Sequence, residues 1–284
     1  MSVEVLASVM HQDMSALAER MQLDSDAVII NQCDCTDYAE MEYRGHKIRF
    51  YSFPERGIGR SRNAAIDRAD GDICLFSDED IVYMEGYAQA IEAEFAHNPK
   101  ADMILFNIEV EESRRTFFIT GRKQVHWYNN GRYGAVTFAV KRKSLLDSGV
   151  KFSLLFGGGA RYSNGEDSLF LKEFMGKGYR VYTAPVLIGR ETAGDSSWFA
   201  GYNEKFFHDR GVLYHFLYGI MAFPFSLRLL IAHRSTLCAD VPVRRALRWM
   251  RDGIREGRKI RKEGEPGDTS PRREGKLGEV SDGE

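Results

Sequence analysis

Three acidic residues stand close together where a short apolar run ends. Asp78, Glu79 and Asp80 follow the apolar residues 73–76 after a single serine. Such a run predicts a strand covered on both faces, as in a parallel sheet, and open α/β sheets bind ligands at the carboxyl ends of their strands. Because adjacent carboxylates repel one another, the cluster predicts a divalent cation, Mg²⁺ or Mn²⁺, held together with substrate phosphates. The alternative is an acidic turn that is only solvated.

The residues before this strand bring cationic groups to the same region. Gly57 and Gly59 permit a tight turn, and Ser61 is of a type that caps helices, so a helix is predicted from Ser61 with Gly71 as its stop. Guanidinium groups match the geometry of phosphate. Three of them accompany the turn: Arg56, Arg60 and Arg62. The combination favours a phosphate and metal site over a solvated turn.

A second acidic pair, Glu166 and Asp167, opens a predicted helix shortly after the glycine run 157–159. The helix dipole and the unpaired amides of a first turn favour carboxylates, so capping alone explains the pair. In the functional interpretation, a carboxylate beside a glycine loop with room for a substrate accepts a proton from a hydroxyl group. Both interpretations stand at this point.

Strands and helices alternate along the first two thirds of the chain. Apolar runs predict strands at 3–9, 27–30, 47–53, 73–76, 101–108, 134–140 and 179–183, the last stopped by Pro185. This order predicts a parallel sheet with right-handed crossovers and a ligand site at its carboxyl edge. The side chains expected there are Asn31, Gln32, Arg56, Arg62 and the cluster 78–80.

Bulk properties exclude several classes of protein. The 284 residues carry a formal net charge of −2, which argues against a nucleic-acid binder with a broad basic face. Cys33, Cys35, Cys74 and Cys238 have no CxxC spacing, so neither a zinc site nor a disulfide framework is predicted. This usage suits a reducing cytoplasm, and the N-terminus has no signal-peptide pattern.

The segment 109–132 interrupts the alternation with charged and aromatic residues, among them Arg114, Arg115, His126, Trp127 and Tyr128. We expect an exposed flap or a loop on the acceptor side of the site. The alternative is an irregular connection whose aromatics pack on the sheet, so that Trp127 is either a core residue or a platform for a sugar.

The C-terminal third has a different character. Residues 211–232 are strongly apolar, but His215, Pro224, Ser226 and Arg228 interrupt them, which favours packed helices over a membrane span. Residues 243–259 place apolar side chains on one helical face and arginines around it. This helix either contacts an anionic membrane surface or packs on its own domain. A disordered tail is predicted at 263–284.

The order of these motifs resembles family 2 glycosyltransferases of the GT-A fold. The resemblance rests on GIGRSRNAAIDRADGDICLFSDED at 57–80 and NGEDSLFLKEFMGKGYRVYTAP at 164–185, and it covers about residues 1–195. It implies an α/β GT-A fold with a Rossmann-like, mostly parallel sheet flanked by helices. The expected units are a catalytic domain at 1–195, a helical extension at 196–262 and the tail at 263–284.

The resemblance also implies roles for individual residues. Asp80 would ligate Mn²⁺ or Mg²⁺, Asp78 would lie at the ribose or the metal, and Asp167, with Glu166 beside it, would be the general base. The nucleotide-sugar would be bound by Asn31 and Gln32 near the base, Arg62 near the base or diphosphate, and Arg56 and Glu79. Relatives often place a metal-binding histidine where this chain has residues 189–192, and Glu191 is a substitute oxygen donor there.

Together these features predict a cytoplasmic, metal-dependent inverting glycosyltransferase. It would move a sugar from a nucleotide-diphosphate sugar to a saccharide or lipid-linked saccharide acceptor, with peripheral contact to the inner face of the plasma membrane through 243–259. The sequence departs from the usual family pattern at two places that concern recognition of the nucleotide base. The first strand runs into Met10, His11 and Gln12, and the second ends in Asn31 and Gln32. The alternatives are a catalytically silent GT-A scaffold subunit and a sugar nucleotidyltransferase.

Overall fold

A computed structural model of the chain describes residues 1–111, 117–192 and 201–263. Arg114 and Arg115 of the predicted flap, the predicted domain boundary at 195/196 and nearly all of the predicted tail lie outside these residues. Within them the chain forms a mixed α/β domain with a central sheet, followed by a C-terminal helical region.

Nine strands of the described residues form one sheet in the order β3-β4-β2-β1-β5-β8-β7-β9-β6. The strands are β1 (Val3–Met10), β2 (Asp26–Gln32), β3 (Asp37–Tyr43), β4 (His46–Phe53), β5 (Ile73–Asp78), β6 (Ile81–Tyr83), β7 (Met103–Glu109), β8 (Phe138–Lys141) and β9 (Val181–Glu191). The pairs β1–β2, β2–β4, β1–β5 and β7–β9 are parallel. The remaining pairs, β3–β4, β5–β8, β6–β9 and β7–β8, are antiparallel. The fold class is as predicted, and the sheet is more mixed than expected.

Helices cover both faces of the sheet and then continue as a separate group. In chain order they are α1 (Met14–Met21), α2 (Ile58–Ile66), α3 (Tyr87–His97), α4 (Arg142–Ser148), α5 (Glu166–Gly176), α6 (Glu204–Tyr218), α7 (Ala222–Ala232), α8 (Arg234–Leu237) and α9 (Val243–Glu263). One core packs α1 and α3 against the sheet, and a second packs α2, α4 and α5 against the opposite face. The sheet therefore lies between two helical layers, as its buried apolar strands require.

The helix at the glycine turn begins earlier than predicted. α2 starts at Ile58, directly after Gly57, whose φ of 121° suits glycine. Ser61 is therefore inside the helix and buried, and its hydroxyl donates to the Ile30 carbonyl at 3.4 Å. The predicted stop at Gly71 was also wrong, because α2 ends at Ile66. Gly71 is required for a different reason, since a Cβ there would lie 2.6 Å from Cβ of Glu4.

Two strand predictions also need correction. β9 continues through Pro185, which is exposed, and its pairing with β7 shifts register in this region. This irregularity accommodates a residue that cannot donate to the ladder. The strand predicted at 134–140 is shorter, with a 3₁₀ turn at Ala135–Thr137 before β8, which runs antiparallel to its neighbours.

The C-terminal helices pack closely on one another. A Cβ at Gly211 of α6 would lie 2.1 Å from the Met250 carbonyl oxygen, and one at Gly253 of α9 would lie 2.0 Å from that of His208. Glycine on both helices thus permits a backbone contact between α6 and α9. Among the described residues, the stretch Glu204–Ala232 is long and apolar enough to cross a membrane by length and composition, and an 18-residue window within it has a mean hydropathy of 1.5.

Candidate active site

The predicted acidic cluster lies where β5 ends, at the carboxyl edge of the parallel part of the sheet. Its three carboxylates have different surroundings. Glu79 accepts a hydrogen bond from the Met10 amide at 2.8 Å and so ties the end of β1 to the cluster. Asp78 accepts two hydrogen bonds from Arg62, at 3.1 and 3.2 Å. Asp80 is partly buried beyond them, where its backbone carbonyl accepts from the amide of Thr192 at 2.8 Å.

Arg62 joins the two acidic motifs. Arg62 is 3% exposed. One of its terminal nitrogens bonds Asp78, and the other donates to Asp167 at 2.8 Å and to Glu166 at 3.2 Å. The guanidinium carbon lies 5.2 Å from the centre of the Phe152 ring, so Arg62 also makes a cation–π contact. Three carboxylates from β5 and α5 thus surround one guanidinium on α2. This contact brings together segments that are more than 100 residues apart in the sequence.

Glu166 and Asp167 occupy the first turn of α5, after Gly165 with a φ of 115°. Both carboxylates bind Arg62, and the Ala135 amide also donates to Asp167. Capping of α5 does not explain contacts with two other segments, α2 and the segment that contains Ala135. The pair therefore belongs to the polar network at the sheet edge.

The electrostatic environment raises the pKa of two carboxyl groups. Burial and the charge of Glu166 raise the pKa of Asp167 to about 7, although Arg62 opposes the shift. Burial and the charges of Asp78 and Glu191 raise the pKa of Asp80 to about 6. The first value suits a group that exchanges a proton near neutral pH. The second marks a carboxylate crowded by like charges, where a cation would be stabilised.

The predicted metal ligands can be compared with this arrangement. Among the described residues, no group of three or more His, Cys, Asp or Glu side chains is placed to hold a metal ion. Asp78 is engaged by Arg62, whereas Asp80 and Glu191 are brought close by the pairing of β6 with β9. A donor set of one or two carboxylates still fits Mg²⁺ or Mn²⁺, because such ions complete their coordination with water and substrate phosphates.

The residues predicted to contact the nucleotide lie at the same edge but have internal partners. Asn31 is buried and accepts from the Gln12 amide at 3.0 Å, and Gln32 is buried and accepts from the Gly57 amide at 2.7 Å. They fix the loop after β1 and the glycine turn. Arg56 is exposed and donates to the Cys33 carbonyl at 2.8 Å and to Asp34 at 2.6 Å. Contact of these side chains with a nucleotide stays a prediction.

Sequence reasoning missed the way in which the second glycine run completes the site. The amide of Ile58 donates to the Gly158 carbonyl at 3.0 Å. A Cβ at Gly157 would lie 2.6 Å from the Ile58 side chain and 2.9 Å from the Glu166 carboxyl carbon. The two glycine segments therefore pack against each other beside the acidic pair. Each was visible as a loop in the sequence, but nothing in the sequence pointed to their contact.

The described part of the predicted flap is mostly exposed, with Ile119 and Val125 packed into the core, and it borders a cavity of about 570 Å³. Trp127 is 61% exposed, so it is not a core residue. Lys123, His126 and Arg132 line the cavity together with aromatic rings, and none of its described lining residues is acidic. Tyr133 is another lining residue, and a Cβ at its neighbour Gly134 would lie 3.7 Å from the Asp167 carboxylate.

His208, a histidine late in the chain, lies elsewhere. Its ring nitrogens are 3.6 Å from Asp209 and 3.3 Å from Glu256, so it belongs to the contact between α6 and α9. Within the 189–192 segment, the charge of Glu191 acts on Asp80, and the Thr192 hydroxyl donates to the Asp80 carbonyl at 3.0 Å.

Comparison with known structures agrees with the fold. The structure of residues 1–349 of TarS from S. aureus in complex with UDP-GlcNAc aligns with a TM-score of 0.54 at 16% identity, covering 93% of this chain and 92% of that one. The same protein in complex with UDP gives 0.51 at 15% identity over the same shares. The mannosyltransferase PcManGT from Pyrobaculum calidifontis, in complex with GDP-Man and Mn²⁺, gives 0.49 at 14% identity, covering 93% and 76%.

Comparison with curated proteins gave no match. The family model described as Glycosyl transferase family 2 matches residues 3–156, which is more than half of the chain and includes the glycine turn, Arg62 and the acidic cluster. The chain therefore belongs to glycosyltransferase family 2, and its GT-A fold carries the site described above.

Proposed function

We propose that this glycosyltransferase moves a sugar from a nucleotide-diphosphate sugar to a hydroxyl group of a saccharide or lipid-linked saccharide, with inversion, in polysaccharide or glycolipid synthesis. The observation that carries the proposal is the network in which Arg62 connects Asp78 with Asp167. It places a carboxylate with a pKa of about 7 at the sheet edge where open α/β sheets bind ligands. UDP-GlcNAc, bound in one TarS structure, is an example of the donor class, and UDP, bound in another, is the nucleoside diphosphate that such a donor releases.

In this mechanism Asp167 removes the proton from the acceptor hydroxyl. The acceptor oxygen forms a bond to the anomeric carbon from the face opposite the diphosphate, while the bond between that carbon and the phosphate oxygen breaks. The nucleoside diphosphate leaves with the bonding electron pair, and the proton remains on Asp167. A general base of this kind contributes about 10² to 10⁴ in rate. No covalent enzyme intermediate is required.

Arg62 acts as a positioning residue in this proposal. Its terminal nitrogens are already bonded to three carboxylates, so it holds Asp167 in place and limits the rise in that group's pKa. Contact of Arg62 with the diphosphate, as the family resemblance implied, would require it to exchange one of these partners. Arg56 and Arg60 are exposed at the glycine turn and are better placed to meet phosphate oxygens.

Asp80, with Asp78 and Glu191 nearby, would hold Mn²⁺ or Mg²⁺, which when bound would neutralise negative charge on the departing diphosphate. The cavity lined by the described part of the flap is the proposed acceptor side, since its aromatic and polar groups suit a saccharide. Nucleotide sugars and the four free cysteines suit the cytoplasm. Peripheral membrane contact through 243–259 completes the proposal.

The decisive experiment compares Asp167→Asn with the wild-type protein. We expect the variant to bind nucleoside diphosphate with Mn²⁺ as the wild type does, but to release nucleoside diphosphate from a panel of nucleotide sugars at least about 100 times more slowly in the presence of acceptor. Calorimetry measures the binding and product release measures the rate. The matched control is Asp147→Asn, an exposed carboxylate on α4 that pairs with Lys143.

Retained transfer in Asp167→Asn would contradict the assignment of the base. A wild-type protein that gives no metal-dependent heat with any nucleoside diphosphate would instead support a silent scaffold. Membership of glycosyltransferase family 2 leaves the sugar nucleotidyltransferase without support.

A further inference from the structure

The exposed side of α7 and of the 3₁₀ turn before it (Gly219–Met221) carries a row of large apolar side chains, which we call the α7 ridge: Ile220, Phe223, Leu227 and Ile231. Their exposed fractions are 91%, 43%, 39% and 64%. Steps of three and four residues place them on one face of a helix. The opposite stripe, formed by Ala222, Ser226 and Leu230, is buried against the other helices. α7 is thus apolar on the side where a surface helix is normally polar.

The surroundings of the ridge are basic. Residues 210–239 contain no Asp or Glu, and Arg228 lies exposed between Leu227 and Ile231 in the sequence, with Arg234 one turn further on. The neighbouring helix α9 contacts α7 and carries nine basic and three acidic residues. Most of its arginines are exposed, including Arg244, Arg248 and Arg251. An apolar strip flanked by cations is the pattern of a helix that lies on an anionic bilayer.

The packing of the preceding helix argues against a membrane-spanning arrangement. α6 forms the first half of the stretch Glu204–Ala232, yet Phe207, Val212 and Leu213 are fully or almost fully buried within the protein. The ridge itself extends over residues 220–231, about 18 Å of helix, against about 30 Å of bilayer hydrocarbon. It is long enough to lie in the interface and too short to cross.

We infer that the α7 ridge inserts into the interfacial region of an anionic membrane, while Arg228, Arg234 and the exposed arginines of α9 contact lipid phosphates. A second copy of the chain is a poorer occupant, because a two-fold contact through the ridge would bring Arg228 and Arg234 of both copies together without a carboxylate between 210 and 239 to pair with them. The inference rests in part on the proposed membrane contact of 243–259 and extends it to α7. It concerns a different surface from the proposed active site, so glycosyl transfer and membrane insertion can fail separately.

Sedimentation of the full chain with lipid vesicles tests the inference. We expect the protein to bind vesicles of phosphatidylcholine with phosphatidylglycerol, to bind pure phosphatidylcholine much more weakly, and to be released by high salt. The double variant Leu227→Ser/Ile231→Ser should bind at least about tenfold more weakly, because it removes two inserted apolar groups. Arg228→Glu/Arg234→Glu should remove the preference for phosphatidylglycerol.

The matched control is Leu146→Ser/Leu154→Ser, which changes two leucines that are 43% and 48% exposed outside the helical region. It should bind as the wild type does. Circular dichroism of each variant verifies folding. Equal vesicle binding by the ridge variant and the wild type would overturn the inference. So would light scattering that shows a wild-type dimer and a monomeric ridge variant, since a second copy would then cover the ridge.

Discussion

The carboxyl ends of the sheet strands and the C-terminal helices depart in opposite ways from the usual distribution of side chains. The first region buries charged groups, and the second exposes apolar ones. At the sheet edge a guanidinium is 3% exposed and three carboxylates surround it. On α7 an isoleucine is 64% exposed, and in the turn before this helix another is 91% exposed, with arginines nearby in solvent. Buried charges are rare unless they are paired, and rows of exposed large apolar groups are rare on proteins that act alone in water.

The comparison teaches that each departure points to a different kind of ligand. A buried network of charges is held in place before any substrate arrives, which suits groups that must meet a reacting atom in a fixed geometry. An exposed apolar row needs no such geometry, because a bilayer presents no single shape. The strength of binding to it depends on the buried apolar area and on positive charge. Chemistry is therefore expected at the first region and attachment at the second.

The sharpest test of this contrast removes one arginine from each region. Arg62→Met leaves Asp78, Glu166 and Asp167 around an apolar side chain, and breaking a buried ion pair in this way costs about 3–5 kcal/mol of the free energy of unfolding. Arg255→Met removes an exposed arginine that lies 3.0 Å from Asp252 in α9, and it should cost about 0–1 kcal/mol. Urea denaturation measures both values.

If the two substitutions cost the same free energy, Arg62 is not the link that holds α2, β5 and α5 together. Activity provides a second readout. Arg62→Lys restores a positive charge but cannot form the forked contacts, so it should recover more stability than transfer rate.

The packing of the helical region gives a test of intermediate size. Gly253→Ala would place a Cβ 2.0 Å from the His208 carbonyl oxygen, so α6 and α9 must separate, and overpacking of this kind costs about 1–3 kcal/mol. Gly176→Ala is the control, because a Cβ at the last residue of α5 meets nothing within 4 Å. Thermal unfolding should show a lower midpoint for the first variant alone. Equal midpoints would mean that the contact between α6 and α9 is looser than described.

Local patterns in the sequence were enough to predict much of the catalytic domain. β1, β2, β5 and β7 fall on apolar runs, because each is buried in the middle of the sheet, whereas β4 alternates buried and partly exposed residues. The edge strand β3 alternates exposed and partly exposed residues and carries charged side chains, so its period-2 signal was too weak to predict. β9 passed through a proline because a shift in register, which depends on its partner β7, accommodates it.

In the candidate site, too, features with a local signal could be predicted from the sequence, whereas contacts between distant segments could not. Asp78, Asp80 and Asp167 stood out because each follows a recognisable local signal, a strand end or a helix start. The partners of Arg62 could not be predicted, since the contact with Asp167 depends on how α2 and α5 lie on the sheet. The α7 ridge escaped notice for a related reason. The sequence of an apolar helix is the same whether its apolar face is buried or exposed. Only the exposed fraction of each side chain in the structure distinguishes the two cases.

A dependence on pH should separate the two regions again. Transfer requires ionised Asp167, whose pKa is raised to about 7, so kcat/KM should fall about tenfold for each pH unit below 7. The free energy of unfolding should change with pH in the opposite direction. Because the pKa of Asp167 is higher in the folded chain than its ordinary value of 3.8, the folded state binds the extra proton, and the free energy of unfolding decreases as pH rises from about 4 to 7.

Asp80, with its pKa raised to about 6, contributes to stability with the same sign over the lower part of this range. Asp167→Asn isolates the contribution of one group, since it should flatten the slope of stability between about pH 6 and 7 and leave the Asp80 part below it. The ridge carries no carboxyl group, so binding to phosphatidylglycerol vesicles should not follow this profile between pH 6 and 8. Vesicle binding that tracked kcat/KM through pH 7 would show that the two regions are coupled, and that Asp167 titrates for both.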